Sequence, residues 1–117
     1  MTPAPIQEII EALRRFAAER DWDQFHSPKN LSIALSVEAG ELLERFQWIT
    51  EEQSRSLSGD ELQGVSEEMA DVFLFLLRLA DKLDVDLLNA SLLKLELNAK
   101  KYPIDKSRGK STKYNKF

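Results

Sequence analysis

The sequence predicts an all-α protein, a four-helix bundle completed by oligomerisation. Three observations carry that expectation. Apolar residues recur at helical spacing in four long segments punctuated by capping residues, and nowhere do they alternate as in a half-buried strand. Val72 to Leu77, VFLFLL, is apolar on every side; a helix of a small monomer cannot hide every face, so this stretch implies burial against another subunit. Finally, Glu38 with Glu41 and Glu68 with Asp71 each place two carboxylates on one face of a helix, among apolar neighbours.

Pro3 and Pro5 open the first helix, which is expected to run to about Arg20 with Ile6, Ile9, Ile10, Leu13 and Phe16 or Ala17 as its core face. A loop, Asp21 to His26, follows. Ser27-Pro28 supplies an N-cap and a proline at the first helical position, so the second helix runs from there to about Ile49. Gly40 within it costs roughly 1 kcal/mol against Ala and is read as a point of close approach by another helix. Thr50 to Gln53 matches a capping box and starts a short turn. The third helix spans about Asp60 to Leu83. Asp84 or Asp86 caps a fourth, ending near Lys101, with Leu87, Leu88, Leu92, Leu95 and Leu97 as its core contacts, and Pro103 stops it. The expected organisation is a helical domain over 1–103 and a basic tail over 104–117 with little to pack.

The 117 residues suit one domain with a single modest core. The absence of cysteine removes disulfides, thiolate ligands and a cysteine nucleophile, and suits a reducing cytoplasm. MTPAPIQEII lacks the basic start and apolar core of a signal peptide, and the longest apolar run, six residues, is far below the roughly 18 that cross a bilayer. The net charge of -4 is divided unequally, -10 over residues 1–93 and +6 over 94–117. An acidic body argues against binding a nucleic acid polymer, which needs a basic face, and fits a small polyphosphate held through cations.

Four carboxylates on apolar stripes, with Arg45 as the one nearby cation, need compensation, because an unpaired buried carboxylate costs several kcal/mol. Hard oxygen ligands without Cys or His select Mg²⁺, with Mn²⁺ as the alternative, over zinc. A ferritin-type di-iron site would need Glu-x-x-His pairs, whereas the only histidine, His26, lies in a loop. Magnesium on carboxylates serves phosphate chemistry, neutralising phosphate oxygens and activating water. Trp22, Phe25 and Trp48 are candidate stacking partners for a base, worth roughly 1–3 kcal/mol each. Trp48, two to three turns beyond Glu38 and Glu41 on a continuous helix, would stand about 10 Å from the cation. His26 could contact base or phosphate or simply hold its loop, and Lys29, Lys100, Lys101 and Arg108 are available to phosphate. The competing class is a non-enzymatic helical oligomer whose carboxylates hold a structural cation or pair with Arg45 and Arg78.

RDWDQFHSPKNL at 20–31, EAGELLERFQW at 38–48, EEMADVFLFL at 67–76 and NAKKYPIDKSRGKSTKY at 98–114 resemble the MazG-like all-α nucleotide pyrophosphohydrolases, most closely their dCTP pyrophosphatase branch. The resemblance covers nearly the whole chain. It implies a four-helix metal site, in a homodimer or a dimer of dimers, that converts a nucleoside triphosphate to the monophosphate and pyrophosphate. Glu38, Glu41, Glu68 and Asp71 match the Mg²⁺ ligands and catalytic carboxylates, with Glu41 a candidate for deprotonating the attacking water. Trp22, Asp23, Gln24, Phe25 and His26, together with Trp48, match the segment that encloses base and sugar. Asn98, Lys101 and Tyr102 match the end of the last helix near the substrate. The branch often has His at the position of Leu13 and Tyr at that of Phe75; each change removes a polar contact worth about 1–3 kcal/mol in discrimination. The implied substrate is dCTP or a modified dCTP, in house-cleaning of the nucleotide pool. A dUTPase-like or broad-specificity activity is the alternative, and the Trp22 to His26 loop speaks against a phosphoribosyl-ATP pyrophosphohydrolase.

Overall fold

Helix boundaries follow the punctuation in the sequence. The computed structural model describes residues 3–116, and every regular element among them is helical. α1 (Ala4–Glu19) starts directly after Pro3. α2 (Pro28–Glu44) begins where the Ser27 hydroxyl accepts from the Asn30 amide at 3.1 Å, with Pro28 as the first helical residue. Ahead of α3 (Glu51–Ser54), the Thr50 hydroxyl accepts from the Gln53 amide at 3.1 Å while the Gln53 side chain accepts from the Thr50 amide at 2.9 Å, the reciprocal box that the sequence predicts. Gly59, with φ of 58°, turns the chain into α4 (Gly59–Lys82). Asp86, not Asp84, caps α5 (Leu87–Lys101), accepting from the Asn89 amide at 3.1 Å.

Asp84 has a different task, shared with Asp21. Both adopt φ of 55°, and each sits just past a helix C-terminus. The Trp22 amide donates to the Ala17 carbonyl and the Val85 amide to the Ala80 carbonyl, both at 2.8 Å, so α1 and α4 end in Schellman turns whose left-handed residue is Asp where Gly is usual. A short polar side chain tolerates this region better than most. The turn at Asp21 swings Trp22 back onto α1, where its ring meets Phe16 edge-on at 5.7 Å.

α2 ends five residues before the expected Ile49. The amides of Arg45, Phe46 and Ile49 donate to carbonyls three residues back, a series of tight turns, because Thr50 must reach an extended conformation (ψ of 163°) to cap α3. Trp48 therefore does not continue the helix of the carboxylates.

The chain divides into two compact units, one ending at Val85 and one beginning at Asp86. In the first, α2 lies along α4 in the most extensive contact, and α1 packs on α4 and on the loop after it. Ala17, Leu31, Val65, Leu77 and Ala80 are its buried apolar residues. The glycine of close approach is Gly64, not Gly40: a Cβ on Gly64 would stand 2.5 Å from Arg45 Nη1, whereas one on Gly40 would meet nothing within 4 Å. In the second unit no residue of α5 is buried, and Leu88, Leu92, Leu95 and Leu97 are exposed, so they are not the core contacts expected. An apolar stripe predicts that a face wants cover and is silent about what supplies it. The tail is more ordered than its composition suggests. α6 (Ile104–Ser107) follows Pro103, and the Tyr102 and Tyr114 rings meet edge-on at 6.0 Å with Lys101 Nζ 5.0 Å from the Tyr114 ring centroid. No helix among the described residues is long and apolar enough to cross a membrane.

The left-handed Asp84 makes a direct prediction. Asp84→Gly should stabilise the protein by about 1 kcal/mol, the cost of holding a side chain in this region less the extra freedom glycine gives the unfolded chain. Urea denaturation reads it as a higher midpoint at unchanged slope.

Candidate active site

The contact between α2 and α4 brings the two acidic motifs together. Oxygens of Glu38, Glu41 and Glu68 lie within 4.8 Å of one another. Asp71 is outside that trio, yet its charge acts on Glu38. Glu38 and Glu68 are half-buried, and each holds one oxygen, Oε2, that is buried without a hydrogen-bond partner. Such orphaned acceptors are uncommon because they forfeit their solvation for nothing. Among the described residues the basic contact is Arg45, whose Nη2 reaches Glu68 Oε1 at 3.6 Å across Gly64. Burial first, then a hydrogen bond with Glu41 and the charges of Glu41, Asp71 and Glu68, raise the Glu38 pKa to about 7. Converging hard oxygen donors with too little positive charge are suited to a divalent cation of the Mg²⁺ type.

Asp71 also lines a cavity of about 440 Å³. Ile9, Ala12, Leu13 and Phe16 of α1 form one wall, Trp22 and His26 of the loop another, and Asp71, Leu74, Phe75 and Arg78 of α4 the third. The sequence pointed to Trp22, His26, Asp71 and Phe75. It assigned Ile9, Leu13 and Phe16 to the core face, because helical spacing reads the same for a cavity wall as for a packed interior; Leu13 was marked as a nucleotide-contact position only by the family resemblance, and Ala12 was not singled out. Arg78 was offered by the sequence only as an alternative partner of the carboxylates; the signal that marks it is a charge inside VFLFLLRLA. It does not pair with the quartet. Its Nη2 donates to Asp23 at 2.7 Å, its Nη1 to Asp81 at 3.5 Å and its Nε to His26 Nδ1 at 3.1 Å. Asp81 accepts two further bonds from Arg14, at 2.6 and 2.9 Å, and Lys82 also donates to Asp23. The network ties α1, the loop and α4 together.

The other loop residues have local partners. The Gln24 amide donates to the Asp21 carboxylate at 2.9 Å and carbonyl at 3.1 Å, and Asp23 faces Arg78 and Lys82. Phe25 is exposed, its carbonyl accepting from the Asn30 side chain. Trp48 is 87% exposed and is not part of the cavity wall. Asn98, Lys101 and Tyr102 belong to the second unit, on the last turn of α5 and just after it.

The raised Glu38 pKa fixes the sign of a pH effect. A carboxyl whose folded pKa exceeds its unfolded value contributes stability that is complete below about 4.5 and is lost as pH rises through about 7. In EDTA, wild type should therefore lose stability relative to Glu38→Gln between pH 5.5 and 8.5. Urea midpoints of both proteins at the two values test this; a difference that stays constant contradicts it.

The sequence matches the MazG-like family over residues 33–117. It is 44% identical to dCTP pyrophosphatase 1 of Bos taurus over 92% of this chain and 68% of that one, and 43% identical to dCTP pyrophosphatase 1 of Homo sapiens over 99% of this chain and 70% of that one. The structure superposes on a pyrophosphatase from Archaeoglobus fulgidus with a TM-score of 0.77 and 35% identity, covering 88% of this chain and 96% of the other. The chain belongs to the MazG-like family.

Proposed function

We propose that this protein is a divalent-metal-dependent nucleoside triphosphate pyrophosphohydrolase acting on dCTP or a modified dCTP. The observation that carries the reading is the trio of converging carboxylates, two with orphaned oxygens, joined by Asp71, whose charge acts on Glu38 and which lines an apolar cavity of about 440 Å³. One half suits a cation and the phosphates it neutralises, the other a flat base. The dCTP pyrophosphatase names of the similar proteins support the substrate class.

In this reading Glu38, Glu41, Glu68 and Asp71 hold Mg²⁺, which when bound neutralises phosphate charge and activates water. Water attacks the α-phosphorus, the bond from it to the bridging oxygen breaks, and the monophosphate and pyrophosphate separate. A carboxylate of the cluster, Glu41 by its exposure and contact with Glu38, takes the proton. Trp22, His26 and Phe75 meet the base, with Trp22 oriented by Phe16. Asp23, Gln24 and Phe25 shape the loop that carries two of these contacts. Trp48 is assigned with Trp22 to base and sugar, Asn98, Lys101 and Tyr102 to substrate contacts and the basic tail 104–117 to the phosphates, with 1–103 as the catalytic domain. Exposed apolar side chains such as Met69 and Phe73 on α4 and Leu92 and Leu95 on α5 are covered in a homodimer or dimer of dimers. The proposed setting is the cytoplasm, where the enzyme clears the nucleotide pool.

Incubation with a panel of triphosphates and Mg²⁺ or Mn²⁺ should release pyrophosphate and monophosphate, and EDTA should abolish release. Glu38→Gln should lower kcat by at least the roughly 10–100-fold that follows disturbance of a metal site. Folded protein that releases no pyrophosphate from any triphosphate returns the carboxylates to a structural role, the one favoured by the Arg45 contact with Glu68. Trp22→Ala should raise KM about 5- to 150-fold, equivalent to roughly 1–3 kcal/mol of stacking. An unchanged KM in Trp22→Ala, Trp48→Ala and the double variant would move the base elsewhere.

A further inference from the structure

Arg78 lies in the middle of an apolar helix, is 6% exposed and belongs to no carboxylate of the proposed metal site. A guanidinium has donors only and does not give up its proton. Across the 3.1 Å contact from Arg78 Nε, His26 Nδ1 must therefore be the acceptor. A neutral imidazole that accepts at Nδ1 carries its proton on Nε2. The ring is kept neutral by its surroundings: burial first, then the positive charges of Arg78 and Lys82, push its pKa below the usual value, while Asp23 acts weakly in the opposite sense. Arg78 is itself fixed by Asp23 and Asp81, so it cannot swing away from the ring without abandoning two ion pairs.

We propose that Arg78 is a specificity-determining positioning residue: by donating Nε–H to His26 Nδ1 it locks His26 in the Nε2–H tautomer, so that the cavity wall presents the nucleobase with a hydrogen-bond donor at this point and never an acceptor. The inference rests on the reading of the cavity as the base site. The base edge that meets His26 must carry a carbonyl oxygen or an unprotonated ring nitrogen, as O2 and N3 of cytosine do. Leu13, Phe16, Leu74 and Phe75 make most of the surrounding wall apolar, and of its other polar residues Trp22 and Arg78 only donate while Asp71 stands two turns from Arg78 on α4. A donor stranded in such a wall rejects an analogue that lacks its acceptor far more strongly than an apolar pocket rejects a change of size.

The only histidine in the chain gives one imidazole signal set, so protein labelled with ¹⁵N-histidine reports on this ring alone. In long-range ¹H–¹⁵N spectra without nucleotide at pH 7.5, wild type should show an unprotonated Nδ1 and a protonated Nε2. Arg78→Met should show averaging between tautomers, as should Arg78→Lys, which keeps the charge and serves if the Met variant does not fold. A wild-type ring that is averaged, or protonated at Nδ1, overturns the lock without involving any substrate. The second arm compares kcat/KM for dCTP with 3-deaza-dCTP, which lacks the N3 acceptor, and 2-thio-dCTP, which weakens the O2 acceptor. Wild type should prefer dCTP over one of them by about tenfold or more, and His26→Phe and the Arg78 variant should bring that ratio near unity. A purely structural Arg78 would lower Tm and overall activity yet leave tautomer and ratio untouched, and that result overturns the proposal while triphosphate hydrolysis stands. Absence of hydrolysis of every triphosphate by wild type overturns the base-site reading instead, and the specificity role with it.

Discussion

The packing of α2 against α4 sets the electrostatic problem around which the first unit is arranged. Side-chain periodicity places Glu38 and Glu41 on one helix and Glu68 and Asp71 on the other, and helix contact then forces like charges together with one guanidinium in reach. Gly64 is part of the same arrangement, since only a residue without a Cβ leaves room for Arg45 to approach Glu68. Arg45 offsets one charge of the group and leaves the orphaned oxygens of Glu38 and Glu68 unanswered. The helices are thus held together by their apolar contacts against the repulsion of their acidic ones. A cation that binds only the folded state would recover that repulsion as binding free energy.

Farther along α4 the opposite arrangement holds. Arg78, Lys82 and Arg14 meet Asp23 and Asp81 in a network where every charge faces a partner, and the pKa values of Asp23 and Asp81 are lowered accordingly, chiefly by their hydrogen bonds with Lys82 and with Arg14. Asp71, Leu74, Phe75 and Arg78 stand at i, i+3, i+4 and i+7, one face of the helix, and that face lines the cavity. One helix therefore carries an electrostatically unsatisfied end, an apolar middle and a satisfied end. The satisfied end fixes the loop, and the unsatisfied end is left available to ligand.

What could be read from the sequence divides along the range of the interactions. The caps at Ser27 and Thr50 act within three residues, so their signals are complete in the local sequence. The carboxylate quartet was legible because each motif is local and its apolar neighbours make it anomalous. Failures arose where the deciding partner is remote. Gly64 matters because of Arg45, Arg78 because of residues more than fifty positions earlier, and Ile9, Leu13 and Phe16 because nothing fills the space they face. The α5 leucines are the same case with the cover missing, and the early end of α2 followed from a conflict in which the Thr50 cap prevailed over continuing periodicity.

The two halves of the site recognise different things. A carboxylate cluster that holds a cation reads the triphosphate, which all nucleoside triphosphates share, so it can contribute to rate without contributing to choice among them. Choice must come from the cavity, and Leu13 and Phe75 make its wall apolar at two places. An apolar wall separates substrates by size at only a few kcal/mol and cannot distinguish one hydrogen-bonding edge from another. The burden of reading the base edge consequently falls on the few polar groups that remain, and of these His26 alone could in principle donate or accept. Its partner Arg78 removes that ambiguity, so that a buried cation outside the carboxylate cluster bears on which nucleotide the enzyme takes.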